Sequence, residues 1–214
     1  LPRVQRLQPL AKAERYLGLV HSKRHIEGIR ELYGHSHDVA VAAVGGALAG
    51  VQSVAEGTVR NAFVASRPPG HHARNTGREE GFCLYNQLAV AARYAQKHLK
   101  LGKVLIVDWD YHHGDGTEYF FYSDPSVLFF STHDVNAYPG TGDPARIGAG
   151  AGKGYNINVH LDCGTDDAAV IRAFRERLVP AARVFKPDLV LVSAGFDSRV
   201  DDLLGCFRIT DAGF

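Results

Sequence analysis

The chain has 214 residues, enough for one sizeable domain with a substantial buried core, and 24 Lys and Arg balance 23 Asp and Glu to a net charge of +1. No basic stripe and no basic run interleaved with aromatics is present, so direct nucleic-acid binding is disfavoured. Cys83, Cys163 and Cys206 are far apart, odd in number and without a C-x-x-C pair, so neither a disulfide framework nor a cysteine metal site follows, and a reducing cytoplasm fits.

No apolar run reads as a membrane span, and Leu1 to Leu10 show neither a signal-peptide core nor a cleavage pattern. The chain starts with Leu, contains no Met and stops at Gly213-Phe214 in what reads as an unfinished element, which fits a fragment of one domain.

In chain order, Leu1 to Tyr33 is helical in flavour, and Asp38 to Glu56 places Val41, Val44, Leu48 and Val51 at helical spacing. Short apolar runs rich in β-formers follow at Asn61 to Ser66, Lys103 to Val107, Val127 to Ser131, Tyr155 to Leu161 and Leu189 to Ser193, and are expected to be strands. Between them, Asn86 to Lys100 and Ala168 to Phe185 carry one apolar face each and are expected to be helices. Strand alternating with helix predicts an α/β fold with a mostly parallel sheet wound on both sides. The glycine-rich stretch Gly140 to Gly154 fails the phosphate-loop spacing, since Lys153 is followed by Gly154 rather than Ser or Thr, and reads as a loop.

In such folds ligands gather beyond the carboxyl ends of the strands, and the polar clusters sit where the apolar runs end. The run at Lys103 to Val107 continues as Asp108-Trp109-Asp110-Tyr111-His112-His113-Gly114-Asp115-Gly116, and strand period two puts Asp108, Asp110 and His112 on one side. Two carboxylates and an imidazole there would repel and lose hydration unless a cation compensates. Carboxylate oxygen and imidazole nitrogen suit zinc, or iron(II) or another first-row metal, with three protein ligands and one open position. Asp110 and His112 supply two; Asp197, just beyond the run ending at Gly195, supplies a third or else caps a following helix. Arg67-Pro68-Pro69-Gly70-His71-His72-Ala73 fixes an irregular turn presenting two adjacent histidines, natural proton carriers near neutrality. The remaining histidines receive no role, and His21, His25 and His98 are expected on solvated helix faces.

R-P-P-G-H-H-A, G-F-C-L-Y-N, D-W-D-Y-H-H-G-D-G-T, Y-P-G-T-G and S-A-G-F-D occur in one order, and the chain resembles the histone deacetylase and acetylpolyamine amidohydrolase superfamily, most of all its bacterial class II-like members. The resemblance spans the N-terminal helices to Phe214. It implies an arginase-like fold, a three-layer αβα sandwich, formed by residues 1–214 as a single catalytic domain lacking its C-terminal part. It implies Asp110, His112 and Asp197 as zinc ligands, His71 and His72 as catalytic histidines, and Asp108 and Asp115 as carboxylates orienting those two rings. Phe82 and Tyr138 resemble the aromatic walls of a substrate channel. Ser131, with main-chain oxygens near Asp108, Asp110 and His112, resembles an inner potassium site; Phe121, Asp124, Val127 and Tyr155 resemble an outer one.

The implied reaction hydrolyses the acetyl-amide of acetyl-lysine or an acetylated polyamine to acetate and free amine. The family's transition-state tyrosine follows two glycines, whereas the Gly-Gly here, Gly45-Gly46, precedes Ala47. An open interior strand edge, and with it a homo-oligomer, is a further expectation. Two other readings stay open: a catalytically impaired module that binds acyl-amines or a partner, and a ureohydrolase-like metalloenzyme on the same fold.

Overall fold

The computed structural model describes residues 4–214; residues 1–3, the first of the segment expected to be helical, lie outside the described residues. The chain divides into two compact units, Leu1–Leu101 and Gly102–Phe214.

In the first unit a 3-10 turn, Ala13–Leu19, precedes α1 (Lys23–Tyr33), α2 (His35–Ala55) and α3 (Gln87–His98). Ser22 caps α1 by accepting from the His25 amide at 3.2 Å, and Asn86 caps α3 by accepting from the Ala89 amide at 2.9 Å. Each cap satisfies one of the donors a helix start leaves open. The spacing of Val44, Leu48 and Val51 buries one face of α2, which packs on α3 and on the 3-10 turn. By length and composition α2 is apolar enough to cross a membrane, contrary to the expectation from sequence; in this unit it serves as a core helix, with Ala40, Ala43 and Ala47 also buried.

Two further expectations fail in this unit. Residues 61–66 are assigned no strand; Ala62 and Val64 lie instead against Gly50 and Gly46 of α2. Propensity reports side-chain shape, whereas a strand is defined by a ladder partner. His21 and His25 are buried rather than solvated, at 3% and 0% exposure, and their rings stack at 4.7 Å. His21 Nε2 accepts from the Asn86 amide at 2.9 Å, so these imidazoles act as internal acceptors holding the 77–86 loop.

The second unit is built on a sheet of β1 (Val104–Asp108), β2 (Val127–His133), β3 (Asn156–His160) and β4 (Leu189–Ser193). Its order is β3-β2-β1-β4 and every pair is parallel, as the alternation of runs predicts. α4 (Asp115–Phe121) follows β1; α5 (Asp167–Ala173) and α6 (Val179–Phe185) precede β4. The expected single helix at Ala168 to Phe185 is divided by a π-helical turn, Phe174–Leu178. Pro180 at the start of α6 has no N–H to donate backwards, which favours a local change of ladder there. Leu105, Val107, Leu128 and Phe130 from one sheet face pack with Leu178 and Phe185. Fully burying each such side chain is worth about 1.5–3 kcal/mol, enough to make this the organising core of the unit.

Register sets where chemistry can occur. Asp108 pairs with Ser131 on one side and Ser193 on the other, so β1 and β4 end level, while β2 runs two residues further to His133.

Cys163 and Cys206 form a disulfide, with Cα atoms 5.2 Å apart and a sequence separation of 43, correcting the expectation that no pairing exists. The turn after β3 and the loop after Asp197 meet there, with the Gly164 amide donating to the Cys206 carbonyl at 2.8 Å. Tertiary placement of this kind leaves no spacing signal.

Candidate metal centre

Asp110 and His112 follow the end of β1, and Asp197 follows the end of β4; the level ends of these neighbouring strands bring the three together. His112 Nδ1 lies 2.8 Å from Asp197 Oδ2 and 3.2 Å from Asp110 Oδ1, and one ligand atom from each residue falls within 4.8 Å of the others. Further bonds hold the carboxylates. The His112 amide donates to Asp110 Oδ1 at 2.8 Å, and the Tyr111 amide donates to Asp197 Oδ1 at 2.9 Å. Asp197 lies in a turn rather than at a helix start, so the helix-capping alternative falls away.

Two glycines make room for these groups. A Cβ on Gly195 would fall 2.5 Å from Asp110 Cγ and 2.7 Å from its Cβ, and one on Gly114 would collide with the Asp108 carboxylate. The S-A-G-F-D and H-H-G-D-G motifs therefore need glycine for space beside a carboxylate.

Electrostatics agree with the geometry. Burial pulls the His112 pKa down, but hydrogen bonds to the Asp110 and Asp197 carboxylates, then their charges, outweigh it and push it up to about 9. Two carboxylates converging on one imidazole nitrogen thus hold a proton where a divalent cation would sit. The donor set, two oxygens and one nitrogen, fits a zinc-type site with an open fourth position.

Asp108 is fully buried and accepts from the Asp110 amide at 3.2 Å; Asp115 opens α4. Ser131 lies beside Asp108 in register and its hydroxyl bonds His133 Nδ1 at 2.8 Å. Of the residues expected at an outer cation site, Phe121, Asp124 and Val127 form one turn, in which the Asp124 amide donates to the Phe121 carbonyl at 3.0 Å. The fourth, Tyr155, joins β2 through its carbonyl, which accepts from the Phe129 amide at 2.9 Å.

In the first unit, His71 and His72 stand side by side, ring centroids 4.0 Å apart, at 8% and 3% exposure. Their turn is braced by Gln87 at the start of α3, which donates to the Pro68 carbonyl at 2.8 Å. Phe82 is 72% exposed and has φ +64°, a left-handed conformation uncommon for a non-glycine residue and frequent where function holds the backbone. Tyr138, in the second unit, is 50% exposed with its ring 6.5 Å from that of His112. Neither aromatic belongs to a packed core.

A metal-ligand trio on the loops beyond level parallel strands defines a metalloenzyme type of site. The comparisons with known proteins identify the family. The model of the histone deacetylase domain matches residues 2–214. Human histone deacetylase 9 is 45% identical over 185 residues, 82% of this chain and 18% of that protein, and human histone deacetylase 7 is 47% identical over 171 residues, 77% and 18%. The chloroplastic histone deacetylase 10 of Oryza sativa subsp. japonica is 47% identical over 152 residues, 71% of this chain and 34% of that protein. The crystal structure of the HDA15 HD domain superposes with a TM-score of 0.90 at 38% identity, covering 98% of this chain and 65% of that one. The chain belongs to the histone deacetylase family and has its arginase-like α/β fold. It spans about a fifth to a third of the length of these curated relatives.

Proposed function

We propose that this chain carries a zinc-dependent amidohydrolase site that removes the acetyl group from acetyl-lysine or from an acetylated polyamine. The convergence of Asp110, His112 and Asp197 carries the reading, and the family supports it. When bound, the metal would supply Lewis acidity at the amide carbonyl and a water acidic enough to lose a proton near neutrality. Asp110, His112 and Asp197 would hold it. His71 and His72 take the proton transfers: one imidazole accepts the proton of the attacking water, and an imidazolium returns a proton to the leaving amine nitrogen. Asp108 and Asp115 keep the role of orienting carboxylates, and Phe82 and Tyr138 that of apolar walls for the aliphatic amine chain. Ser131 and main-chain oxygens of the β1 end are assigned to an inner potassium ion; Phe121, Asp124, Val127 and Tyr155 to an outer one. Residues 1–214 are read as one catalytic domain. Among the described residues one trio of metal-binding geometry is present, which favours a one-metal deacetylase over a two-metal ureohydrolase.

The test is acetate release from an acetyl-lysine peptide and from acetylspermidine by zinc-loaded protein. Removing the general acid-base function in His72→Ala is expected to lower the rate by about 10²–10⁴-fold, and Asp110→Ala to abolish it. Undiminished turnover by Asp110→Ala would overturn the reading.

A further inference from the structure

A polar row centred on a buried carboxylate begins at His113, next in sequence to the metal ligand His112, and the reaction does not use it. Glu118, one turn into α4, has its side chain 5% exposed, yet its carboxylate is fully engaged. Arg146 Nε donates to Oε1 at 2.8 Å with Nη2 at 2.7 Å, while Asn156 Nδ2 and Asn158 Nδ2 donate to Oε2 at 2.9 and 2.8 Å. His113 Nε2 stands 3.4 Å from Oε2. On its other side, His113 Nδ1 and the Thr141 hydroxyl share a hydrogen bond at 2.8 Å. Beside it, His133 Nε2 donates to the Gly142 carbonyl at 2.9 Å, and its Nδ1 accepts from Ser131.

The row therefore grips the β2–β3 loop at Thr141, Gly142 and Arg146. Immediately before that grip the chain makes a tight turn, the Gly140 amide donating to the Ala137 carbonyl at 2.7 Å, and this turn carries Tyr138 beside His112. His113 adjoins the metal ligand His112 in sequence, in the stretch between the end of β1 at Asp108 and the start of α4 at Asp115. A charged carboxylate bound by several donors, one of them a guanidinium fork, defines position far better than apolar packing of a loop would.

We propose that Glu118 is a positioning residue for substrate: through Arg146, and through His113 to Thr141, it holds the turn that carries Tyr138 in place beside His112. It touches neither substrate nor metal. The proposal rests on the reading of Tyr138 as a wall of the acyl-amine channel, and it assigns control of substrate affinity to a residue outside that channel.

Arg146→Met takes the half-exposed guanidinium off the loop and leaves the buried Glu118 carboxylate to the Asn156 and Asn158 amides; Glu118→Gln, which removes that buried charge as well, is the companion variant. In zinc-loaded protein Arg146→Met is expected to raise KM about tenfold while kcat moves less than about threefold, the pattern of lost ground-state positioning. Zinc affinity stays unchanged, and Arg146→Lys restores part of the KM. In a Tyr138→Ala background Arg146→Met is expected to have no further effect, because the two act as one unit. Amide hydrogen exchange at residues 137–142 reads the same claim without turnover and is expected to accelerate at least about tenfold in Arg146→Met and Glu118→Gln, with β1 and β2 unchanged. Additive effects with Tyr138→Ala, or unchanged exchange in that turn, would overturn the proposal. Faster exchange in a protein that hydrolyses neither substrate would instead sink the functional reading and leave the positioning intact.

Discussion

Replacing Gly195 by alanine puts the account of the metal centre under the sharpest structural stress. The new Cβ would stand 2.5 Å from Asp110 Cγ and 2.7 Å from Asp110 Cβ, distances that real Cβ atoms essentially never show, so either the β4 end or the Asp110 carboxylate must move. Overpacking of this kind costs about 1–3 kcal/mol. If the strain falls on the ligand, each 1.4 kcal/mol is a tenfold change in affinity, so zinc binding weakens by roughly 5-fold to 150-fold. Competition against a chromophoric chelator measures this directly, and urea denaturation of the metal-free protein shows how much strain the fold absorbs instead. The expected result is weaker zinc binding with metal-free stability lowered by less than the full strain. Unaltered zinc affinity would refute the argument that Gly195 exists to make room for a metal ligand.

Other consequences can be measured on the same protein. With His112 held near pKa 9 in the metal-free protein, a proton competes with the ion; zinc affinity is expected to rise about tenfold per pH unit from pH 6 toward 9, and a flat profile would contradict the convergence of charges on Nδ1. Burial, with repulsion from His25, lowers the His21 pKa to about 3, so the folded chain keeps it neutral while the unfolded chain takes up a proton below about 6.5. Stability is therefore lost as pH falls from 6.5 toward 3, by about 2 kcal/mol at pH 5 from this group, and urea midpoints at pH 5 and 7 should show it. His21→Asn should flatten that dependence. Cys163→Ser opens a cross-link spanning 43 residues, and loop-closure entropy puts its cost at up to about 4 kcal/mol; equal stability of variant and parent under oxidising conditions would show that the pair is not a constraint.

Much of the second unit was legible in the sequence because its strands are short, β-rich and closed by turn residues. A buried parallel strand needs no partner-specific signal beyond that, and β1 to β4 lie close to the expected runs. The trio was legible because Asp110 and His112 continue one such run and Asp197 follows another. What the sequence could not show depends on tertiary placement. The segment 61–66 has strand composition but packs on α2, and Ala168 to Phe185 has one helical stripe but contains a π turn. Lone histidines in a helical pattern read as surface, yet His21 and His25 accept backbone hydrogens inside the first unit. Glu118 is the clearest omission. A glutamate within a helix ordinarily faces water, and the asparagines and arginine that engage it lie 28 to 40 residues further on. The one available signal was alternation of Asn156 and Asn158 on one side of a strand, an amide ladder that calls for a buried polar partner.

The most direct test of the central claim titrates zinc into metal-free protein while acetate release from an acetyl-lysine peptide is followed. The account predicts that activity rises from nothing to a plateau at one zinc per chain, and that Asp197→Asn stays at baseline under the same titration. Activity without metal, or a normal plateau in Asp197→Asn, would contradict it.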